Sequence, residues 1–316
     1  MRRAGAVAVT IAILLVCAGC AGRSMNRLVI ATGGLGGVYN RLGHTLAEEM
    51  ERRWNIPIEE RITGASLDNL ELVAAGKADV GFTTIDAAAL AASGQAPFTS
   101  PSPVVALMRL YDEYLQVVVS RSESVKTLAD LRGRTISVGS EGSGTELLAL
   151  RLLDLIGLSP GEVTLVRLGV AESAEALRSR KIQAFFFTSG LPAPAISELS
   201  RSMPIRLVPT DRYLDQLQER YDNVYLRRSI PSGTYGSTVE TPTIGVANIL
   251  VVNSAMTKIA AYDLTRMVFS LRDVLATTHV AARYLHESSA IKTLPIELHP
   301  GAVRFYREAK TAVTAG

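Results

Sequence analysis

A short apolar strand that runs into a glycine-rich turn and then an amphipathic helix occurs twice in this chain, and that pattern constrains the fold most. Residues 27–32 (RLVIAT) lead into Gly33-Gly34-Leu35-Gly36-Gly37 and a helix carrying Val38, Leu42, Leu46 and Met50 on one face. Residues 134–139 (RTISVG) lead into a Gly/Ser turn at 140–145 and a Leu-rich helix over 146–156. Between and after these units, strands and helices keep alternating. The apolar patterns predict strands near 56–62, 78–82, 104–110, 115–120, 163–168, 183–187 and 243–252. Helices are expected over 67–75 with Ser66 as N-cap and Gly76 as stop, from Asp86 onward, and over 171–179. Three further helical stretches, 257–276, 280–286 and 301–310, close the chain. Such alternation argues for an α/β fold with parallel sheets covered on both faces.

Residues 1–19 read as a secretory signal. A basic Met1-Arg2-Arg3 precedes the apolar run 7–16, and the small residues Ala18 and Gly19 precede Cys20. The run is short for a membrane span, and an uncleaved N-terminal anchor helix is the alternative. Ala18-Gly19-Cys20 resembles a bacterial lipoprotein cleavage box, which implies acylation of Cys20, tethering to the outer face of the cytoplasmic membrane, and an extracytoplasmic location. Cys17 stands where that box usually carries Leu, and plain cleavage to a periplasmic protein is the alternative. Removal of Arg2 and Arg3 leaves 31 basic against 30 acidic residues. So balanced a chain gives no basis for nucleic-acid binding. The 2 cysteines, Cys17 and Cys20, both lie at the leader, which excludes disulfides, thiolate metal sites and a thiol nucleophile in the folded part.

The two glycine-rich turns carry the chemistry. A helix N-terminus presents unpaired backbone N–H groups and a partial positive charge, so it holds a carboxylate or phosphate without a formal cation. Ser143 and Thr145 add hydroxyls to the second turn. Tight packing alone also explains such turns. No Walker A lysine follows either turn, no G-x-G-x-x-G spacing is present, and no serine sits in G-x-S-x-G. His44, His279, His286 and His299 are scattered without ligand spacing. No cofactor or metal is expected, and no nucleophile–base pair of an enzyme is visible. Asp86 reads either as a helix N-cap or as a polar group at a cleft, and Tyr235 either as a turn aromatic or as a cleft wall.

Several segments together resemble the TAXI family, the solute receptors of one branch of the tripartite ATP-independent periplasmic (TRAP) transporters. They are ATGGLGGVYN, TGASLDNLELVAAGKADVGF, SVGSEGSGTELLA, IQAFFFTSGLPAPA, IPSGTY and LPIELHPGAVRFYRE, spread in order over residues 28–308. The resemblance implies a type II periplasmic-binding-protein fold, two α/β lobes around a ligand cleft. Residues 27–114 with 253–316 would form one lobe and 115–252 the other. It also implies a small organic anion or amino acid as ligand (glutamate, 2-oxoglutarate or a related carboxylate) and a TRAP membrane permease as partner. The family's ligand positions map onto Gly36, Gly37, Val38, Tyr39, Ser66, Asn69, Thr84 and Asp86. In the second lobe they map onto Ser143, Gly144 and Thr145, with Phe187 and Tyr235 as walls. A ligand sensor of the same fold and a secreted enzyme on the same scaffold are the alternative readings.

Overall fold

The computed structural model describes residues 27–159, 161–221 and 223–314; the leader and Cys20 lie outside the described residues. In chain order the elements are β1 (Leu28–Ala31), α1 (Val38–Trp54), β2 (Ile58–Arg61), α2 (Ser66–Ala74), β3 (Val80–Thr84), α3 (Ile85–Ser93) and β4 (Val104–Ser120). There follow β5 (Thr135–Ser137), α4 (Gly144–Leu155), β6 (Thr164–Val166), α5 (Val170–Arg178), β7 (Ala184–Ser189), α6 (Pro194–Ser202), β8 (Ile205–Leu207), α7 (Leu214–Tyr221) and β9 (Tyr225–Ile230). The chain ends with β10 (Thr241–Asn253), α8 (Lys258–Ser270), α9 (Arg272–Thr278), α10 (Glu287–Ala290) and α11 (Pro300–Thr314).

The strands join in one mixed sheet of order β2-β1-β3-β10-β4-β7-β5-β6, with β8 on the end of β4 and β9 on the start of β10. β1 is parallel to β2 and β3, and β5 is parallel to β6 and β7. The two long strands β4 and β10 run antiparallel between these groups, from Val104 opposite Asn253 to Tyr114 opposite Gly245. Each changes neighbours along its length. β10 pairs with β9 over residues 241–246 and with β3 over 248–251. β4 leaves β10 at Tyr114 and pairs with β7 over 114–119.

Alternation along β1 shows why an apolar run folds here. Leu28 and Ile30 face Leu42, Leu46 and Met50 of α1, whereas Val29 and Ala31 face Leu70 and Val73 of α2. Both faces of the strand are covered, and burying each such side chain contributes about 1.5–3 kcal/mol. A third cluster, built on Phe185, Leu177 and Ile196, packs α5 and α6 against β7. No helix among the described residues is long and apolar enough to cross a membrane.

Several expectations change. The strands expected at 104–110 and 115–120 are one 17-residue strand, β4, continuous through Tyr111-Asp112-Glu113-Tyr114. The helix expected over 257–276 breaks at Leu271 into α8 and α9. Residues 280–284 form a 3-10 turn. Ser66 is the first residue of α2 and not its N-cap, because its hydroxyl accepts from the Thr84 N–H at the end of β3 (3.2 Å). The cap position is held by Ala65, at φ 97°.

A chain of polar contacts ties elements from opposite ends of the sheet. Arg151 of α4 donates to the Tyr225 hydroxyl (2.5 Å), which donates to Asp86 of α3 (2.7 Å). Tyr225 and Asp86 are fully buried, so the carboxylate depends on these partners and on the Ala87 N–H (2.9 Å). Tyr225→Phe leaves Arg151 at 3.7 Å as the remaining side-chain partner of Asp86. The loss of a hydrogen bond to a buried charge should lower unfolding stability in urea by roughly 1.5–3 kcal/mol without changing the denaturant slope.

Candidate functional site

Both glycine-rich turns open onto one cavity between the β1–β3 and β5–β7 groups of strands. Its volume is about 50 Å³, several times the roughly 10–15 Å³ that one ordered water needs. The walls touch: the Leu67 N–H of α2 donates to the Gly142 carbonyl before α4 (2.8 Å). Gly144 comes so close to α2 and α3 that a Cβ there would lie 2.6 Å from Thr84 Oγ1 and 2.8 Å from Ser66 Oγ. The cavity is therefore seen with its walls closed together.

First-turn residues of α1, α2, α4 and α5, and the residue preceding α3, line this space: Val38 and Tyr39, Ser66, Thr84, Gly144 and Thr145, and Val170. Helices α1, α2 and α3 carry no side-chain cap. In α1 the first intrahelical bond runs from Arg41 N–H to Gly37 O, and in α4 from Leu147 N–H to Ser143 O. The N–H groups of Val38, Tyr39, Gly144 and Thr145 precede those bonds, so they have no carbonyl acceptor within their helices. Their partial charges are all positive at the cavity. Among the described residues the lining includes no lysine, arginine or histidine, and its one acidic residue is Glu113.

The hydroxyls divide by what already holds them. Ser143 is the N-cap of α4: it accepts from Glu146 N–H (3.0 Å) and donates to the Ser140 carbonyl (2.7 Å). Its proton is therefore taken. Thr145 Oγ1 accepts from Thr188 N–H (3.0 Å), and Ser66 Oγ accepts from Thr84 N–H. Both keep a proton to donate. The Tyr39 and Thr188 hydroxyls are buried and have no hydrogen-bond partner. The Tyr39 ring packs on Phe82 with centroids 5.3 Å apart.

Glu113 lies at the floor, where β4 passes between the two groups of strands, and is 1% exposed. Asn248 of β10 donates to its Oε1 (3.0 Å). Burial pushes the carboxyl up from the ordinary 4.5 to about 8; the Asp86 and Asp112 carboxylates add to the rise, and the Tyr39 and Asn248 dipoles oppose it. Burial, and then the neighbouring Glu113, hold the Tyr39 phenol well above its usual range. At neutral pH the floor is an uncharged carboxylic acid beside an uncharged phenol.

Of the residues singled out in the sequence, Gly37, Val38, Tyr39, Ser66, Thr84, Ser143, Gly144, Thr145 and Phe187 line this one cavity. Four others are elsewhere. Gly36 (φ +80°) abuts Ala195 of α6. Asn69 is a buried brace, donating to the Thr32 and Phe82 carbonyls (2.6 and 2.7 Å). Asp86 belongs to the tie with Tyr225 and Arg151. Tyr235 lines a separate groove, donating to Gln116 (2.5 Å) and accepting from Ala193 N–H (2.6 Å). Glu113, Ala65, Gly139, Leu168, Thr188 and Ser189 also line the cavity, and the sequence did not single them out. Among the described residues no group of three His, Asp or Glu could hold a metal ion.

A family model described as NMT1-like family matches residues 30–309. The chain belongs to the NMT1-like family. This NMT1-like chain also shares its fold with MatC from Rhodopseudomonas palustris with bound malate, at TM-score 0.55 and 13% identity over 92% of this chain and 97% of that one. An ancestral arginine-binding protein bound to arginine matches at 0.51 and 14%, over 80% and 97%. The periplasmic aliphatic sulphonate binding protein SsuA from Escherichia coli matches at 0.50 and 16%, over 90% and 84%. At these identities the likeness is one of fold. The fold is that of the type II periplasmic binding proteins, two α/β lobes around a cleft, as expected from the sequence.

Two measurements separate the roles. Ser143→Ala removes a cap and should lower stability by about 1 kcal/mol with little change in the affinity of any cavity ligand. Thr145→Val, which keeps the shape and loses the donor, should weaken a bound anion by about tenfold or more in calorimetric titration. Glu113 adds a pH signature. The folded chain keeps its proton between about pH 4.5 and 8 while the unfolded chain has released it, so stability falls as pH rises through that interval. Melting of ligand-free Glu113→Gln should depend less on pH there than that of the unaltered chain.

Proposed function

We propose that this chain is the extracytoplasmic solute-binding subunit of a TRAP-type secondary transporter of the TAXI branch, capturing a small organic anion for a membrane permease and performing no catalysis. The observation that carries this reading is the convergence of helix N-termini and free hydroxyl donors on one closed cavity with no cationic side chain in its lining. Such a site holds a carboxylate by oriented dipoles that need no reorganisation when the ligand enters. The family assignment and the shared fold support a binding role, and neighbours on that fold carry malate, arginine or sulphonates in their names.

In this reading β4 and β10 are the strands that cross between lobes, and bending at their changes of partner lets the cleft open. We draw the lobes as residues 27–114 with 253–316, and 115–252. The pairing of 248–251 with β3 supports moving the second crossing toward Ala247. Acylation at Cys20 would hold the protein beside its permease, and a diacylated cysteine anchors far more firmly than a single chain. Cys20→Ala should then release the protein from the membrane fraction or leave it unprocessed.

A ligand that binds only the native, closed form adds stability by mass action, roughly 2.7 kcal/mol at ~100 times Kd. Ligand-stripped protein screened by thermal shift against carboxylates, sulfonates and amino acids should therefore melt higher with at least one of them. A flat response across that panel would remove the binding reading.

A further inference from the structure

Most of the groups that line the cavity without protein partners are donors, a bias that the reading above does not use. The N–H groups of Val38, Tyr39, Gly144 and Thr145 can only donate. The Ser66 and Thr145 hydroxyls each already accept a backbone N–H, from Thr84 and Thr188, and so offer their protons. Tyr39, 8% exposed, and Thr188, 6% exposed, have hydroxyls without a closed hydrogen bond, that of Tyr39 turned toward Glu113 and Ser66, and each can donate or accept. Glu113 receives Asn248 on Oε1, which leaves the proton of the carboxylic acid on Oε2. Among the described residues Glu113 is the one acid of the lining.

Resting on the solute-binding reading, we propose that Glu113 acts as a hydrogen-bond donor in its protonated form, a specificity residue that selects acceptor-only organic anions over zwitterions of the same shape and links their capture to one proton. A ligand oxygen at the floor would accept from Glu113 and Tyr39 while its carboxylate or sulfonate meets the N-termini of α1 and α4. An amino group in the same place would meet the positive ends of α1 and α4, with only hydroxyl lone pairs or an ionised Glu113 to receive it. The groups facing Glu113 are consistent with this. Tyr39 on α1 and Tyr111 on β4 are phenols that burial holds well above their usual range, so neither titrates near neutrality. Asp112 on β4 is engaged by Arg228, at 2.6 and 2.9 Å, and by Arg109. Asp86 on α3 is held by Tyr225 and Arg151, and Asn248 on β10 carries no charge. Glu113 is the one group of this set whose pKa, about 8, falls where a ligand carboxylate is itself fully ionised.

The test uses matched pairs as probes: 2-oxoglutarate with glutamate, malate with aspartate, and isethionate with taurine, titrated calorimetrically into the mature chain from pH 6.5 to 9.5. The hydroxy or oxo member of at least one pair should bind at least tenfold tighter than its amino partner. Its Kd should be flat to about pH 7.5 and then rise by up to about tenfold per pH unit as the free protein loses the proton. Glu113→Gln, whose amide donates at every pH, should bind that probe several-fold more weakly at pH 7 but without the alkaline rise. A tighter amino partner, a Kd that falls with pH, or an alkaline rise that persists in Glu113→Gln overturns the donor assignment while leaving the binding reading standing. No heat from any of the six probes, with no thermal shift from the wider panel, overturns both.

Discussion

The antiparallel pairing of β4 with β10 is the interaction on which the rest of the molecule hangs. These strands pair over nine positions, with irregularities at 248/249 and 250/251. Every other strand reaches its place in the sheet through one of them. A strand that donates hydrogen bonds to one group of partners at its start and another at its end cannot slip by one residue, since a slip would turn all its buried side chains outward. The pair therefore fixes where the two strand–glycine–helix units stand relative to each other. Two helix N-termini far apart in sequence meet across a cavity because β4 and β10 bring them there.

The units themselves were legible. Parallel strands buried on both faces read as plain apolar runs, and the glycine-rich turns mark where a strand must give way to a helix in little space. Residues 194–230 were not legible. Helix α6 buries only Ile196 and Leu199, and α7 only Leu214 and Leu217. β9 buries only Tyr225 and Ile230 and carries two consecutive arginines, Arg227 and Arg228, that pair with carboxylates elsewhere. Elements with so little apolar area leave almost no periodic trace, and their structure is set by the sheet edges they cover. Asn69 and Asp86 carry a related lesson. Both are buried polar residues beside the cavity, but their hydrogen bonds are spent holding loops and helices in place. Sequence shows residue type and spacing and leaves open which partner a side chain has taken.

The break in the sequence pattern at Tyr111-Asp112-Glu113-Tyr114 is informative for the same reason. Two adjacent carboxylates do not belong in a buried strand, so the pattern divides β4 there. The strand in fact continues, and the two acids turn to opposite sides. Asp112 meets arginines at a solvent-facing groove, and Glu113 goes to the floor of the cavity. A buried carboxyl without a cation costs stability over the interval in which it must keep its proton. Such a local conflict at the point where the two halves of the sheet join is the kind of departure expected at a functional site.

That cost and the emptiness of the lining in basic residues have one common explanation. An arginine in the cavity would bind an anion strongly, but it would also ionise Glu113 and bring a charge pair whose desolvation opposes closing the walls. Helix dipoles and neutral donors avoid that conflict. They present positive potential without a counter-ion, in a geometry already set by the sheet, and on the proposed reading a bound anion would be the one formal charge in the cavity. The walls touch through Leu67 and Gly142 and need glycine at 144 to approach so closely, and the buried ion pair that joins α3 to α4, Asp86 with Arg151, lies outside the cavity lining.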